Sequence, residues 1–119
     1  YLSGGRQPTA DDVVRHIEHA VNVAGEEHVA IGTDGTLSTV ALTQEFVQSF
    51  TANVARRKAA GIAAPQESEV GYLFANDLNT PRRFEQLADR LSLRGHSDDR
   101  IEKLLGGNLL RVFGAAWDS

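Results

Sequence analysis

Apolar residues at helical spacing predict the first element of the chain. They recur every three or four residues, on one face of an α-helix: Val13, Ile17, Ala20, Val21 and Ala24. Thr9 stands where an N-terminal cap belongs, and Asp12, three residues later, can bond back to it. Gly25 is a natural C-terminal stop. The pattern therefore predicts a helix between Thr9 and Gly25.

A short apolar run after this helix predicts a β-strand. The run is Val29–Gly32, with His28 before it and Asp34-Gly35 after it. Catalytic groups of α/β enzymes commonly lie just past the C-terminal end of such a strand. One strand cannot satisfy its own backbone donors and acceptors, and no second run is as convincing. The strand is therefore expected to belong to a larger sheet.

The middle of the chain is predicted to be a helix followed by a long excursion. A cap at Thr43 opens a helix that runs to Gly61 and carries an apolar stripe of Phe46, Val47, Phe50 and Val54. Residues 62–79 show no clear periodicity, which is typical of a long surface segment. Three apolar residues are expected to hold that segment down: Tyr72, Leu73 and Phe74.

Start and stop signals predict three further helices. Thr80-Pro81 opens a helix that ends at Gly95, and Ser97 caps a short helix after it. Gly106-Gly107 breaks this short helix, and Asn108 opens the last one. No second domain boundary is found. Residues 1–119 are therefore expected to belong to one domain.

Charge and composition exclude several classes of protein. The formal net charge of −4 gives no basic footprint for nucleic acid or an anionic membrane. The chain has no cysteine, which excludes disulfides and thiolate metal sites within it. No apolar run reaches the roughly 20 residues of a spanning helix, and no secretory signal is found. Localisation is left open, with a soluble, cytoplasmic protein favoured.

Asp34 is the sharpest candidate for chemistry. Its neighbours Gly32, Thr33 and Gly35 let backbone approach a ligand closely. A carboxylate there can accept from an ammonium group or a metal-bound water, or take up a proton. The competing interpretation is a simple turn, because Asp-Gly is a common turn former. The pattern alone leaves both interpretations open.

Histidines and a glycine pair are weaker candidates. His16 and His19 can share a helix face, but two ligands without a third make no metal site, so structural or surface roles are favoured. His28 is expected at the start of the strand, away from the carboxylate, and His96 beside the next helix cap. Gly106–Asn108 can be read as a phosphate-binding turn, but it lacks the Lys-Ser/Thr of a P-loop, so a helix break is favoured.

Three stretches, in this order, resemble the C-terminal third of the membrane dipeptidase (renal dipeptidase) family, peptidase family M19: residues 9–19, 29–35 and 106–113. The resemblance implies an α/β fold, the C-terminal portion of a (β/α)8 TIM barrel, mostly helical when taken alone. The first helix then corresponds to the seventh helix of the barrel, and Val29–Gly32 to the eighth strand. Residues 1–119 would form the C-terminal segment of a single metallo-dipeptidase barrel domain.

The resemblance also implies hydrolysis of dipeptides at a binuclear zinc centre. Asp34 matches the family's acidic residue at the end of the eighth strand. There it would bind the substrate ammonium or pass a proton to the leaving amine, as a catalytic and substrate-binding residue. The zinc ligands belong to strands absent from this sequence, so no metal ligand is assigned, and the chain alone is expected to be inactive. Family members commonly read Gly-x-Asp-Phe-Asp-Gly here, whereas Gly35 directly follows Asp34.

The resemblance implies two partners, a dipeptide substrate and the remaining N-terminal part of the barrel. No nucleic acid is expected, and a homo-oligomer is left open. A non-catalytic helical fragment or interaction module is the alternative, because apolar stripes and an unpaired strand favour association. Another amidohydrolase on the same barrel is a third interpretation, since such folds accept many substrates.

Overall fold

The described part of the structure, a computed structural model, is helical. It comprises residues 6–33, 35, 38–64, 67 and 74–117. Within it lie five α-helices and no β-strand. The helices are α1 (Ala10–Ala24), α2 (Gln44–Ala59), α3 (Arg83–Leu93), α4 (Asp98–Glu102) and α5 (Asn108–Trp117). Single 3-10 turns cover Glu26–His28 and Asn76–Leu78, and a wide turn, Lys103–Gly107, joins α4 to α5.

Helix α1 has the boundaries and the cap that its sequence predicts. The Thr9 hydroxyl accepts a hydrogen bond from the Asp12 backbone N–H, and the Asp12 carboxylate accepts one from the Thr9 backbone N–H (2.9 Å). This reciprocal pair satisfies two donors that a helix start otherwise leaves open. Gly25 ends the helix with a φ of 85°, a conformation that favours glycine.

The core lies where α1, α3 and α4 meet the wide turn. Its fully or almost fully buried side chains come from these four elements: Val14, Ile17, Leu87, Leu91, Ile101 and Leu104. Half-buried residues of the 29–31 segment pack against this cluster as well. The helical periodicity of the sequence therefore produces a real but small core, centred on the apolar faces of α1 and α3.

The prediction of a β-strand at Val29–Gly32 is wrong, because the described residues contain no β-strand. Val29 has extended dihedrals (φ −114°, ψ 132°), but the described residues contain no strand that could pair with this segment. The Ile31 N–H instead donates to the Leu104 carbonyl in the wide turn (3.2 Å). A strand exists only through a ladder with a neighbour, so the backbone stays extended without becoming one. His28 ends the preceding 3-10 turn instead of opening a strand.

The predicted bounds of α2 are confirmed, but the burial expected of its apolar stripe is not. The Thr43 hydroxyl accepts from the Phe46 N–H (3.2 Å), and Ala59 is the last helical residue before Gly61. Of the predicted apolar stripe only Val54 is buried, while Phe46 and Phe50 stack on each other at 6.3 Å. Tyr72 and Leu73, expected to hold down the segment after α2, lie outside the described residues.

Helix α3 begins at Arg83, later than the predicted start at Thr80-Pro81. The Thr80 hydroxyl accepts from the Arg82 N–H (3.2 Å), so this residue closes a turn ahead of the helix. The predicted stop at Gly95 is confirmed by its φ of 86°, and the predicted cap of α4 by the hydrogen bond from the Arg100 N–H to the Ser97 hydroxyl (3.3 Å).

Helix α5 has its polar side turned toward the chain and its apolar side turned away. Asn108 is the buried residue of α5, and Arg111 reaches back to donate to the Glu27 carbonyl (2.6 Å). Five large apolar side chains of the helix are exposed: Leu109, Leu110, Val112, Phe113 and Trp117. Large exposed apolar surfaces usually mark a place where something else packs.

The chain as a whole exposes more surface than a folded domain of its size. Its solvent-accessible area is 8015 Å², about 1,700 Å² above the roughly 6,300 Å² typical of a folded monomer of this mass. The radius of gyration is 16.6 Å, against about 13.5 Å for a compact domain of this length. None of the helices in the described ranges is long and apolar enough to cross a membrane.

Acid is expected to remove a specific contribution to stability at the start of α1. Asp12 is buried and bonded by Arg6, by Thr9 and by Arg15, and the hydrogen bond from Arg6 holds the pKa of its carboxyl well below the usual range. A depressed pKa stabilises the fold above the unfolded-state value, about 3.9, and this stabilisation is lost as pH falls further.

Asp12→Asn should therefore lower the melting temperature most at pH 7, and its difference from the wild type should shrink below about pH 4. Calorimetric melting from pH 7 to pH 3 measures this. Asp11→Asn is the matched control, because Asp11 is exposed and makes only a surface ion pair with Arg90 (3.3 Å). A constant Asp12→Asn difference across that range would contradict the assignment.

Candidate functional site

The predicted site residue, Asp34, lies outside the described residues. The candidate site is therefore built from the described residues on either side of it. We call residues 32–37 the Asp34 segment. The chain before it runs from Glu26 to Ile31, and the chain after it begins at Ser38.

Before the Asp34 segment, the chain is fastened by the wide turn and by the first residue of α5. Asn108 Nδ2 donates to two backbone carbonyls, of Glu26 (2.6 Å) and of Val29 (2.8 Å). The Asn108 side chain is buried, with 4% of the residue exposed. The bond from the Ile31 N–H to Leu104 adds a third attachment. Both N–H groups of the buried Asn108 amide therefore hold residues 26–29 in place.

After the Asp34 segment, the chain is fastened by the region that leads into α3. Asn79 forms a two-way pair with Val40, because its Oδ1 accepts from the Val40 N–H (2.8 Å) and its Nδ2 donates to the Val40 carbonyl (2.9 Å). Arg83 Nη2 donates to the Ser38 carbonyl (2.9 Å). An asparagine side chain here satisfies backbone groups as a neighbouring strand would.

Ion pairs hold the wide turn, which in turn fastens residues 26–31. Lys103 Nζ contacts three carboxylates, of Asp99 (2.8 Å), Glu27 (2.7 Å) and Glu26 (3.0 Å). Hydrogen bonds to Asp99 first, then to the two glutamates, raise the pKa of Lys103 above its usual range. The Arg100 Nε donates to Glu26 Oε2 (2.6 Å), and this bond is the main cause of the lowered pKa of Glu26.

Steric crowding explains why residue 107 is a glycine. A Cβ atom there would lie 3.2 Å from the Glu102 carbonyl oxygen, which is closer than most such contacts. Gly106 breaks the helical path (φ 168°, ψ −22°), which confirms the predicted break. Asn108 opens α5 as predicted, and its Nδ2 donates to the backbone carbonyls of Glu26 and Val29.

The described histidines do not converge on a site. His16 and His19 lie exposed on α1, and His28 is exposed on its turn. His96 is fixed between two partners, because Arg100 Nη1 can only donate to its Nδ1 (3.2 Å), so its Nε2 donates to Glu18 Oε1 (3.1 Å). This histidine joins α1 to the α3–α4 connection, a structural role.

The described residues do not fit a zinc centre. Within the described ranges no group of three or more histidine, cysteine, aspartate or glutamate residues is arranged to hold a metal ion. The acidic residues near the candidate site, such as Glu26, are already paired with cations. No chemical step through a metal follows from these residues.

Comparison with known protein families decides the identity. Residues 1–64, more than half of the chain, match the family model described as membrane dipeptidase (peptidase family M19). The chain belongs to the membrane dipeptidase family. No curated protein and no solved structure matches it. The family resemblance of the sequence is thereby confirmed.

The membrane dipeptidase match covers the Asp34 segment but none of the residues that fasten the chain on either side of it. Asp34, Ser38 and Val40 lie within residues 1–64, whereas Asn79 and Asn108 lie beyond them. The sequence marks Asn108 as a helix start and as part of the Gly106–Asn108 turn, but not as a partner of residues 26–29, and it gives no signal for Asn79. Bonds that join residues 39 or 79 positions apart leave no local pattern.

Proposed function

We propose that this chain forms part of a zinc-dependent dipeptidase with a (β/α)8 barrel, in which residues 29–32 become the eighth strand and α1 is the seventh helix. The observation that carries the proposal is the family match over residues 1–64, which includes this extended segment and Asp34. The extended dihedrals of Val29 support it, since they suit a strand that lacks only its neighbours.

The large exposed surface of the chain supports the proposal that the rest of a barrel packs against it. A parallel barrel strand is covered on both faces and paired on both edges, and a typical barrel takes about 250 residues. The excess surface and the outward apolar side of α5 are what such a chain would present before the rest of the barrel covers them. The remaining N-terminal part of the barrel is the proposed occupant.

In this proposal Asp34 acts on the amino side of the dipeptide. Its carboxylate would accept hydrogen bonds from the substrate ammonium, or hold the proton that the leaving amine takes up. The metal ligands would come from other strands of the barrel. That this chain supplies no ligand stays a prediction.

Hydrolysis of dipeptides by the full-length protein tests this function. We expect release of free amino acids in the presence of zinc, and loss of that activity after a chelator removes the metal. Readdition of zinc should restore it, which separates metal removal from unfolding. An acyl peptide without a free ammonium serves as the matched substrate control and should react poorly. Absence of dipeptide hydrolysis with zinc present would refute the proposal.

A second candidate, a non-catalytic interaction module, is favoured by the outward apolar side of α5. It predicts that the full-length protein associates with itself or another chain through this helix and hydrolyses nothing. Sedimentation velocity of the preparation used for the hydrolysis assay distinguishes the two candidates. Self-association without hydrolysis would favour the module, and hydrolysis would exclude it.

A further inference from the structure

The wide turn and Asn108 cover one edge of the extended residues 29–31. Asn108 Nδ2 donates to the Val29 carbonyl (2.8 Å), and the Ile31 N–H donates to the Leu104 carbonyl (3.2 Å). In an extended chain the backbone groups of alternate residues point to the same edge, so both bonds lie on one side. A residue of a neighbouring parallel strand makes the same two bonds, because it donates to one residue and accepts from the residue two positions later. The turn and Asn108 therefore take the place of a strand at this edge.

The opposite edge of residues 29–31 is open. Ala30 lies between the two bonded residues, and the described part of the chain offers no hydrogen-bond partner to its N–H or its carbonyl. Val29 and Ile31 are half-buried and pack against the core, whereas Ala30 is exposed. This alternation is that of an extended chain, so the backbone groups of Ala30 point away from the wide turn. An open backbone edge is a template on which another strand can pair.

We propose that the Ala30 edge is the docking edge for a parallel strand from the rest of the barrel, while the wide turn and Asn108 keep the other edge closed. This inference rests on the proposed dipeptidase function, because the barrel supplies the partner strand. It adds that a strand on the closed side can pair only beyond Ile31. Neighbouring strands of a barrel are staggered, which allows this offset.

The exposed area favours the rest of the barrel over a second copy of the chain as the occupant. The chain exposes about 1,700 Å² more surface than a folded monomer of this mass. Each partner of a standard dimer covers only about 800 Å². A second copy would therefore leave about half of the excess uncovered, whereas the rest of a barrel is large enough to cover all of it.

Residue-resolved amide hydrogen exchange in the full-length protein tests the docking edge. The Ala30 N–H should exchange at least about 100-fold more slowly than in an unfolded peptide of the same sequence, because a ladder bond opens only with its strand. Exchange as fast as in the peptide would overturn the docking edge. Protection that disappears when the protein is diluted to a monomer would assign the edge to a second copy and overturn the barrel strand as its occupant.

Asn108→Ala tests the closed edge in the same measurement. The Ile31 N–H should exchange roughly 10-fold faster in this variant than in the wild type, because the neighbouring attachment at Val29 is lost. The Ala30 N–H, bonded on the other edge, should change little. Equal acceleration at both amides, or none at Ile31, would overturn the assignment of the two edges.

Ala30→Pro is the second variant, and it leaves the wide turn intact if Asn108→Ala does not fold. Proline removes the N–H of the docking edge, so the melting temperature should fall by several degrees. Ala41→Pro is the matched control, because Ala41 is also exposed and lies outside the helices. Equal melting temperatures of the two variants would overturn the proposal, since an unpaired Ala30 should tolerate proline.

Dipeptide hydrolysis by the same preparations separates failure of this inference from failure of the proposed function. A protected Ala30 N–H in a protein that hydrolyses no dipeptide would refute the function and retain the docking edge. A freely exchanging Ala30 N–H in an active dipeptidase would overturn the docking edge and retain the function.

Discussion

Asp34→Asn is expected to lower kcat/KM for dipeptide hydrolysis by roughly 10²- to 10⁴-fold, the usual contribution of a positioned acid or base. Asparagine keeps the size of aspartate but cannot carry the negative charge or hold the proton. The substitution therefore removes the chemistry of the side chain and leaves its shape. Steady-state kinetics on the full-length protein, loaded with zinc, measure the loss.

The parameter that falls identifies the role of Asp34. A group that binds the substrate ammonium equally in the ground and transition states should mainly raise KM. A group that passes a proton to the leaving amine should lower kcat, and the pH dependence of kcat should change with it. Asp89→Asn, on the exposed side of α3, is the matched control and should change neither parameter. Wild-type rates in Asp34→Asn would remove this residue from the mechanism.

Leu91→Ala is expected to cost about 2–5 kcal/mol of unfolding free energy, the range for a large core side chain cut to alanine. Leu91 has no exposed surface and lies in the cluster that α1, α3 and α4 share. The loss combines reduced burial with a cavity that surrounding helices fill only in part. Urea denaturation of the full-length protein gives the difference in free energy.

Leu93→Ala is the matched control on the same helix, because its side chain is 87% exposed. We expect less than about 0.5 kcal/mol from it, as for most surface substitutions. Equal destabilisation by both variants would contradict the placement of the core on one face of α3.

The helices could be predicted because their signals are local. Thr9, Thr43 and Ser97 each cap the helix that follows, within three residues of the N–H that they accept from. Gly25 and Gly95 end helices at positions where a positive φ is needed. Caps, stops and periodicity all act over one or two turns, so the sequence displays them directly.

The strand and the exposed helix faces could not be predicted in the same way. An apolar run such as Val29–Gly32 has strand propensity, but a ladder requires a partner from elsewhere. The stripes of α2 and α5 indicate which residues favour burial, not whether a surface exists to bury them. Phe113 and Trp117 stack on each other at 5.0 Å and still remain exposed.

The candidate site was predictable only in its acidic residue. The place of Asp34 after an apolar run and its family motif both point to this residue. Asn79 and Asn108 hold backbone that is distant in sequence, and no spacing rule connects them to it. Only the three-dimensional structure shows that they bond to Val40, Glu26 and Val29.

The Asn108 attachment has a consequence for synthesis of the protein. Its bonds to Glu26 and Val29 join residues 82 and 79 positions apart. A ribosome needs roughly 4–16 s to add that many residues at 5–20 residues per second. The nascent chain therefore carries residues 26–31 for seconds before Asn108 can hold them. During that interval the apolar residues 29–31 are open to chaperones, and a pause in translation before Asn108 would lengthen their exposure.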